Sequence, residues 1–181
     1  VTLETLSGIK ILNLHVENGK VESVSVDMGK SQILTLGGNT TPFVNQPITA
    51  KGITMNGTAV SMGNPHLVFF VENAEIFDVA SIGPAFEHHP WFENRTNVEF
   101  AQILSPAKIR MRVWERGSGI TMACGTGACA TFAAAKECGL VNGKTTLVLD
   151  GGELQIENSS TNGDVIMTGP AQTVFEGKIE I

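Results

Sequence analysis

Cys124 heads the run Ala123-Cys124-Gly125-Thr126-Gly127-Ala128-Cys129, and an alanine-rich stretch closing at Gly139 follows it. Residues 125–138 are predicted to form the one long helix, with Gly139 as the left-handed residue just past its end. Cys124 would then stand at the helix N-terminus, where unpaired N–H groups and the helix dipole favour negative charge. A thiol so placed is expected to have a lowered pKa and to serve as a base or nucleophile. Gly125, Thr126 and Gly127 leave the backbone open to close approach, and a ligand carboxylate can use the same anion site. The other reading is a buried structural cysteine before an ordinary helix; the glycines flanking Thr126 favour the chemical one. Cys129 and Cys138 lie further along the helix and read as small core residues.

Other polar residues are compatible with a charged substrate, though each alone has a plain structural reading. Glu115-Arg116 ends a predicted strand and enters the loop Gly117-Ser118-Gly119 just before the thiol. The pair is either a solvated ion pair or a grip on charged groups. Arg116 would hold a carboxylate bidentately, and Glu115 would bind an ammonium group or relay a proton. Gly63-Asn64-Pro65-His66 is a turn feeding a buried strand, and Asn97 follows Asn94-Arg95-Thr96. Alone, His66 reads as a hydrogen-bonded structural histidine, and Asn64 and Asn97 as turn residues.

The elements that must position these groups are mostly short strands. Residues 2–16 suit a strand, Asn18-Gly19 is a hairpin turn, and residues 21–28 form the returning strand. Residues 30–46 read as an irregular connection. Residues 52–62 read as a hairpin turning at Asn56-Gly57, and residues 66–71 as a buried strand. A short helix is expected over 82–89, with Pro84 near its start. Strands follow at 97–104 and 108–114, the latter with Ile109, Met111 and Val113 on one side and Arg110, Arg112 and Trp114 on the other. Beyond the long helix, strands at 145–149 and 153–157 flank the turn Asp150-Gly151-Gly152, and another covers 164–168. The predicted fold class is α+β, a curved, mostly antiparallel sheet around a central helix.

Composition narrows the partners. The 181 residues are 42% hydrophobic with a net charge of −6, which supports a buried core and disfavours nucleic acid, whose phosphates need a basic footprint. No apolar run reaches the roughly 20 residues of a membrane span, and residues 1–5 lack a signal-peptide pattern. Three cysteines close together fit neither a disulfide framework nor a structural zinc site, so a reducing, cytoplasmic setting without metal is expected. The chain opens without Met in a β-prone segment, which predicts further sequence upstream.

Taken together, Met62-Gly63-Asn64-Pro65-His66, Asn94-Arg95-Thr96-Asn97-Val98, Trp114-Glu115-Arg116-Gly117-Ser118-Gly119 and the Cys124 run resemble, in order and separation, the diaminopimelate epimerase family. The likeness extends from Leu3-Glu4-Thr5-Leu6-Ser7-Gly8 to Gly169-Pro170-Ala171. It implies interconversion of LL- and meso-2,6-diaminopimelate, a step toward lysine and peptidoglycan, with neither pyridoxal phosphate nor metal. In that family two cysteines flank the substrate Cα; one removes its proton and the other delivers one from the far side. By this resemblance Cys124 is the second of the pair. Asn64, Asn97, Glu115, Arg116, Gly125 and Thr126 bind substrate, and Glu115 and His66 assist proton transfer.

The resemblance also implies a second lobe. The family's first cysteine lies in a Cys-Gly-Asn-Gly motif, which does not occur in this chain. Residues 1–24 are therefore expected to be strands of an N-terminal lobe, 25–170 the C-terminal lobe, and 171–181 a strand returning to the first. On this reading the chain alone is inactive, and its exposed strand edges favour a homodimer. Competing expectations are a proline- or hydroxyproline-type racemase of the same fold, a non-catalytic binding or assembly fragment, and a cysteine hydrolase using His66 as base.

Overall fold

The computed structural model describes residues 1–5 and 8–180. Its strands are β1 (Thr2–Thr5), β2 (Gly8–Glu17), β3 (Lys20–Asp27), β4 (Gln32–Ile33), β5 (Gln46–Ala50), β6 (Ile53–Ser61) and β7 (Pro65–Phe70). Helix α1 (Val79–Glu87) precedes β8 (Asn97–Ser105), β9 (Lys108–Glu115) and β10 (Gly119–Ile120). Helix α2 (Gly125–Glu137) precedes β11 (Thr145–Leu149), β12 (Gly152–Asn158) and β13 (Val165–Pro170). The strands join in the order β1-β2-β3-β13-β12-β11-β9-β8-β7-β6-β4, with β10 on β9 and β5 on β6. Pairing is antiparallel except for β7 with β8 and β11 with β9. The fold is α+β, a mixed sheet with two helices among the described residues.

Strand alternation divides the interior into two cores. Val60, Val68, Ala101, Ile109, Met111 and Val113 pack with α2 on one face of the sheet. Their neighbours Ala59, Leu67, Phe69, Val98 and Phe100 turn to the other face, against Val79, Ala85 and Phe86 of α1. In α2 every residue from Gly127 to Ala135 is buried, so the helix is covered on all sides. It contacts β6, β7, β8, β9, β11, β12 and β13. Its small side chains permit that close approach from many strands.

Several local expectations need correction. Asn56-Gly57 is no turn: both residues lie inside β6, where Gly57 faces β7. A Cβ on Gly57 would come within 2.9 Å of Leu67 and Phe69, so the glycine serves close packing. The turn falls instead at Lys51-Gly52, both with positive φ (49° and 79°), and joins β5 to β6. Helix α1 begins earlier than expected, because the Asp78 side chain accepts the Ser81 N–H as an N-cap, and Pro84 sits in the helix interior. The stretch 2–16 contains two antiparallel strands, β1 and β2, rather than one, with Leu6 and Ser7 outside the described residues. The connection 30–46 carries the short strand β4 and the first residue of β5.

The turn Asn18-Gly19 is as expected, with φ of 50° and 77°. Strand β3 crosses the expected boundary at residue 24 and pairs along its length with β13 and β2. The expected strand over 171–181 is not formed by the described residues. Ala171 N–H donates to Glu22 O, residues 171–180 are otherwise without regular structure, and Ile181 lies outside the described residues. No helix among the described residues is long and apolar enough to cross a membrane.

Candidate active site

Cys124 is the N-cap of α2, in extended conformation (φ −139°, ψ 105°), and its Sγ accepts the Gly127 N–H at 3.3 Å. Thr126 Oγ1 lies 3.7 Å from the same sulfur. The loop delivering Cys124 is braced by the turn between β11 and β12: Gly151 N–H donates to Met122 O at 2.6 Å. That turn is anchored in its own right, since Asp150 accepts from Arg110, which also pairs with Glu75.

The helix-terminal position is as expected, but its lowering of the thiol pKa is outweighed. Burial is the main push that takes the Cys124 pKa up to about 11, and charge on the nearby Glu99 carboxyl would add to it. The Thr126 hydroxyl and Gly127 N–H pull it down, and Glu115 raises it again. With 8% of the residue exposed, loss of hydration outweighs the two hydrogen-bond donors. Cys129 is fully buried and its thiol is pushed up to about 12 by burial and by Cys124; Cys138 caps the helix C-terminus.

His66 and Asn64 reach the same helix end from the start of β7 and the turn before it. His66 is fully buried, with Nδ1 2.7 Å from Glu99 Oε1 and Nε2 3.2 Å from Asn64 Oδ1. Asn64 Nδ2 donates to Thr126 Oγ1 at 3.4 Å. Parallel pairing sets this up, because His66 of β7 stands opposite Asn97 of β8, two residues from Glu99.

Asn97 and the Glu115-Arg116 pair hold the neighbouring loops together. Asn97 Nδ2 donates to Pro65 O at 3.0 Å, and its Oδ1 accepts the Arg116 N–H at 3.0 Å. Glu115 accepts from the Thr121 hydroxyl, and Arg116 Nη1 donates to Asn94 O at 3.0 Å. The predicted residues Asn64, His66, Gly125 and Thr126 thus gather around Cys124 through direct bonds or adjacency, with Glu115 close enough to act on its charge. Arg116 lies further out. It lines a cleft of about 420 Å³ with Asn64, Trp91 and Arg95. A second cleft, of about 920 Å³, is lined by residues that include Asn64, Thr126, Met28, Met62, Lys10 and Lys30.

Two carboxyl groups escaped the sequence reading. Glu99 is fully buried beside His66, and its raised pKa comes from burial, opposed by His66 and supported by Glu115. A Cβ on Gly127 would lie 2.8 Å from Glu99 Oε1 and 3.1 Å from Cys124 Sγ, so Gly127 lets the carboxyl approach the helix end. Glu87 in α1 accepts from Trp114 Nε1 (2.7 Å), Arg95 Nη1 (3.0 Å) and Gly117 N–H (2.9 Å). It thereby ties the Glu115–Gly117 loop to α1. The available signal was an acid set within an apolar run, Val98-Glu99-Phe100-Ala101 and Ala85-Phe86-Glu87.

Comparison with known proteins was consistent with these motifs. The family model described as diaminopimelate epimerase matches residues 58–174. The diaminopimelate epimerase of Phocaeicola vulgatus is 52% identical over the whole chain, which spans 66% of that protein. That of Methanococcus maripaludis strain C5 is 48% identical, again over the whole chain and 67% of the relative. The chain therefore spans about two thirds of the length of these relatives. Among solved structures, a hydroxyproline epimerase from Agrobacterium vitis superposes with a TM-score of 0.67 at 15% identity, covering 94% of this chain and 56% of that one. A probable proline racemase from Agrobacterium radiobacter K84 does so at 0.63 and 18%, covering 97% and 60%. Both of these are likenesses of fold.

Proposed function

The chain belongs to the diaminopimelate epimerase family, and we propose that it supplies the Cys124 half of an active site that interconverts LL- and meso-2,6-diaminopimelate without pyridoxal phosphate or metal. The observation that carries this reading is Cys124 at the N-cap of α2, with Thr126, Asn64, His66 and two carboxyl groups around it. A Cα–H is weakly acidic, so developing carbanion charge needs preorganised donors in an enclosed site. The first-turn N–H groups of α2 are suited to receive the substrate α-carboxylate. Lys10, Lys30, Arg95 and Arg116 in the two clefts suit the charged groups of a substrate with two amino-acid ends.

Inversion requires a base on one face of Cα and an acid on the other. A thiol pushed up to about 11 is protonated near neutral pH, so Cys124 is suited to deliver a proton in the resting enzyme. Delivery leaves it as the thiolate, which removes the proton in the reverse direction. Cys129 cannot serve on the opposite face, since it is fully buried on the same helix. We assign the second thiol to residues beyond this chain. Residues 1–24 then belong to a second lobe, 171–181 form the segment that returns to it, and 25–170 a lobe curved around α2. The exposed apolar side chains of Ile9, Ile11, Val16, Val174, Phe175 and Ile179 support that division. A cytoplasmic homodimer completes the proposal.

The test is α-proton exchange of diaminopimelate in D₂O. The chain alone should give no sustained exchange. A protein extended to the length of its relatives should epimerise diaminopimelate, and Cys124→Ala in it should lose activity by about a thousandfold or more. Near-normal turnover by Cys124→Ala would overturn the assignment. A panel adding proline and hydroxyproline separates this substrate from those named for the two structural neighbours.

A further inference from the structure

Glu99 has no role in the proton transfer just described, yet it is a fully buried acid with one partner. Oε1 meets His66 Nδ1 at 2.7 Å, Oε2 has no hydrogen-bond partner among the described residues, and both side chains are 0% exposed. An ionised carboxylate there would be a buried anion with one oxygen bare, which is costly; a carboxylic acid is not. The other titratable groups facing this centre are Glu115 at the end of β9 and Cys124 at the α2 N-cap, and neither supplies compensating positive charge.

From His66 the contacts form a directed chain. His66 Nε2 faces Asn64 Oδ1, which only accepts, so Nε2 carries the ring proton. Asn64 Nδ2 donates to Thr126 Oγ1 at 3.4 Å, which leaves the Thr126 hydroxyl hydrogen free to be given to Cys124 Sγ, 3.7 Å away. We propose that Glu99 is a positioning residue: as a neutral acid it donates to His66 Nδ1, holds the ring in its Nε2–H form, and so aims the Thr126 hydroxyl at Cys124. The importance of that thiol rests on the function proposed above; the hydrogen-bond order does not. The final bond stabilises the thiolate that Cys124 becomes after giving up its proton.

Two measurements on the chain itself test this without any turnover. Nitrogen NMR of the His66 ring near neutral pH should show Nε2 protonated and Nδ1 bare. A doubly protonated ring, or the Nδ1–H form, would overturn the proposal. The second is the alkylation rate of Cys124 by iodoacetamide, followed by peptide mass spectrometry. Glu99→Gln presents an amide N–H to Nδ1 in place of the acid and should keep the rate within about threefold, whereas Glu99→Ala should slow it about tenfold. Glu99→Gln accelerating alkylation about tenfold would mark Glu99 as a buried anion, and slowing as much as Glu99→Ala would show that a neutral donor is insufficient; either overturns it. If Glu99→Ala fails to fold, the ring NMR and Glu99→Gln still decide. Failure of the epimerase assignment would appear separately, in diaminopimelate exchange.

Discussion

Gly127→Ala sets two physical effects against each other, and the structure says which should win. Gly127 lies in the first turn of α2 with ordinary helical backbone, so alanine there gains about 1 kcal/mol of helix propensity. Its Cβ, however, would sit 2.8 Å from Glu99 Oε1, 3.1 Å from Cys124 Sγ and 3.3 Å from Cys124 Cβ. Neither neighbour is a flexible surface side chain. Glu99 is fully buried, and Cys124 caps the helix through the Gly127 N–H. Overpacking of this kind costs about 1–3 kcal/mol. Displacing Glu99 from His66 adds about 0.5–1.5 kcal/mol for a hydrogen bond between neutral groups. The net expectation is a loss of about 0.5–3.5 kcal/mol. At about 2 kcal/mol per molar urea, the unfolding midpoint should fall by about 0.3–1.8 M. Gly125→Ala is the matched control, because its Cβ would meet only the Met167 side chain, at 3.2 Å from Sδ, and that side chain can yield. It should leave stability within about 1 kcal/mol. A Gly127→Ala midpoint equal to or above wild type would refute the reasoning about Glu99 and the helix end.

Two further outcomes follow from other buried groups. Cys124 keeps its proton in the folded chain up to about pH 11, whereas the unfolded thiol releases it from about 9, so the native state binds more protons between them. Cys124 should therefore contribute a fall of about 2–3 kcal/mol across that window, beside a similar one from Cys129, and Cys124→Ser should remove about half of this slope in a urea-midpoint-versus-pH profile; an unchanged slope counts against the raised pKa. Burial pushes the Glu87 carboxyl up, but Trp114, the Gly117 N–H, His88 and Arg95 outweigh it and hold it below the usual range. Its contribution is present above the unfolded value of 4.5 and is lost as pH falls through the lower folded one. Glu87→Gln leaves one acceptor oxygen for three donors and should cost about 1–3 kcal/mol, with faster hydrogen exchange at Gly117. Exchange unchanged there would show that α1 does not hold the loop.

Periodicity and punctuation reveal what is local. The alanine run, Gly139 and the cysteine before them specify α2 and its N-cap from a dozen neighbouring residues, and they place the thiol correctly. Apolar alternation specifies β8, β9, β11 and β12 in the same way. Motif order was enough to gather Asn64, His66, Asn97, Glu115, Thr126 and Cys124 into one candidate site. Asn56-Gly57 shows where local signals fail: the same dipeptide serves a turn or a close contact, and only Leu67 and Phe69 on the neighbouring strand decide between them.

The sign of the Cys124 pKa shift could not be read along the chain. A helix end lowers a thiol pKa, and that much is sequence. Burial and the approach of Glu115 raise it, and those depend on β8 and β9 lying against the helix end. Sequence thus determined that a cysteine caps the helix, because capping is a matter of adjacent residues. Tertiary structure decided that the cysteine is a thiol at rest, because desolvation and charge act through space between residues distant in the chain.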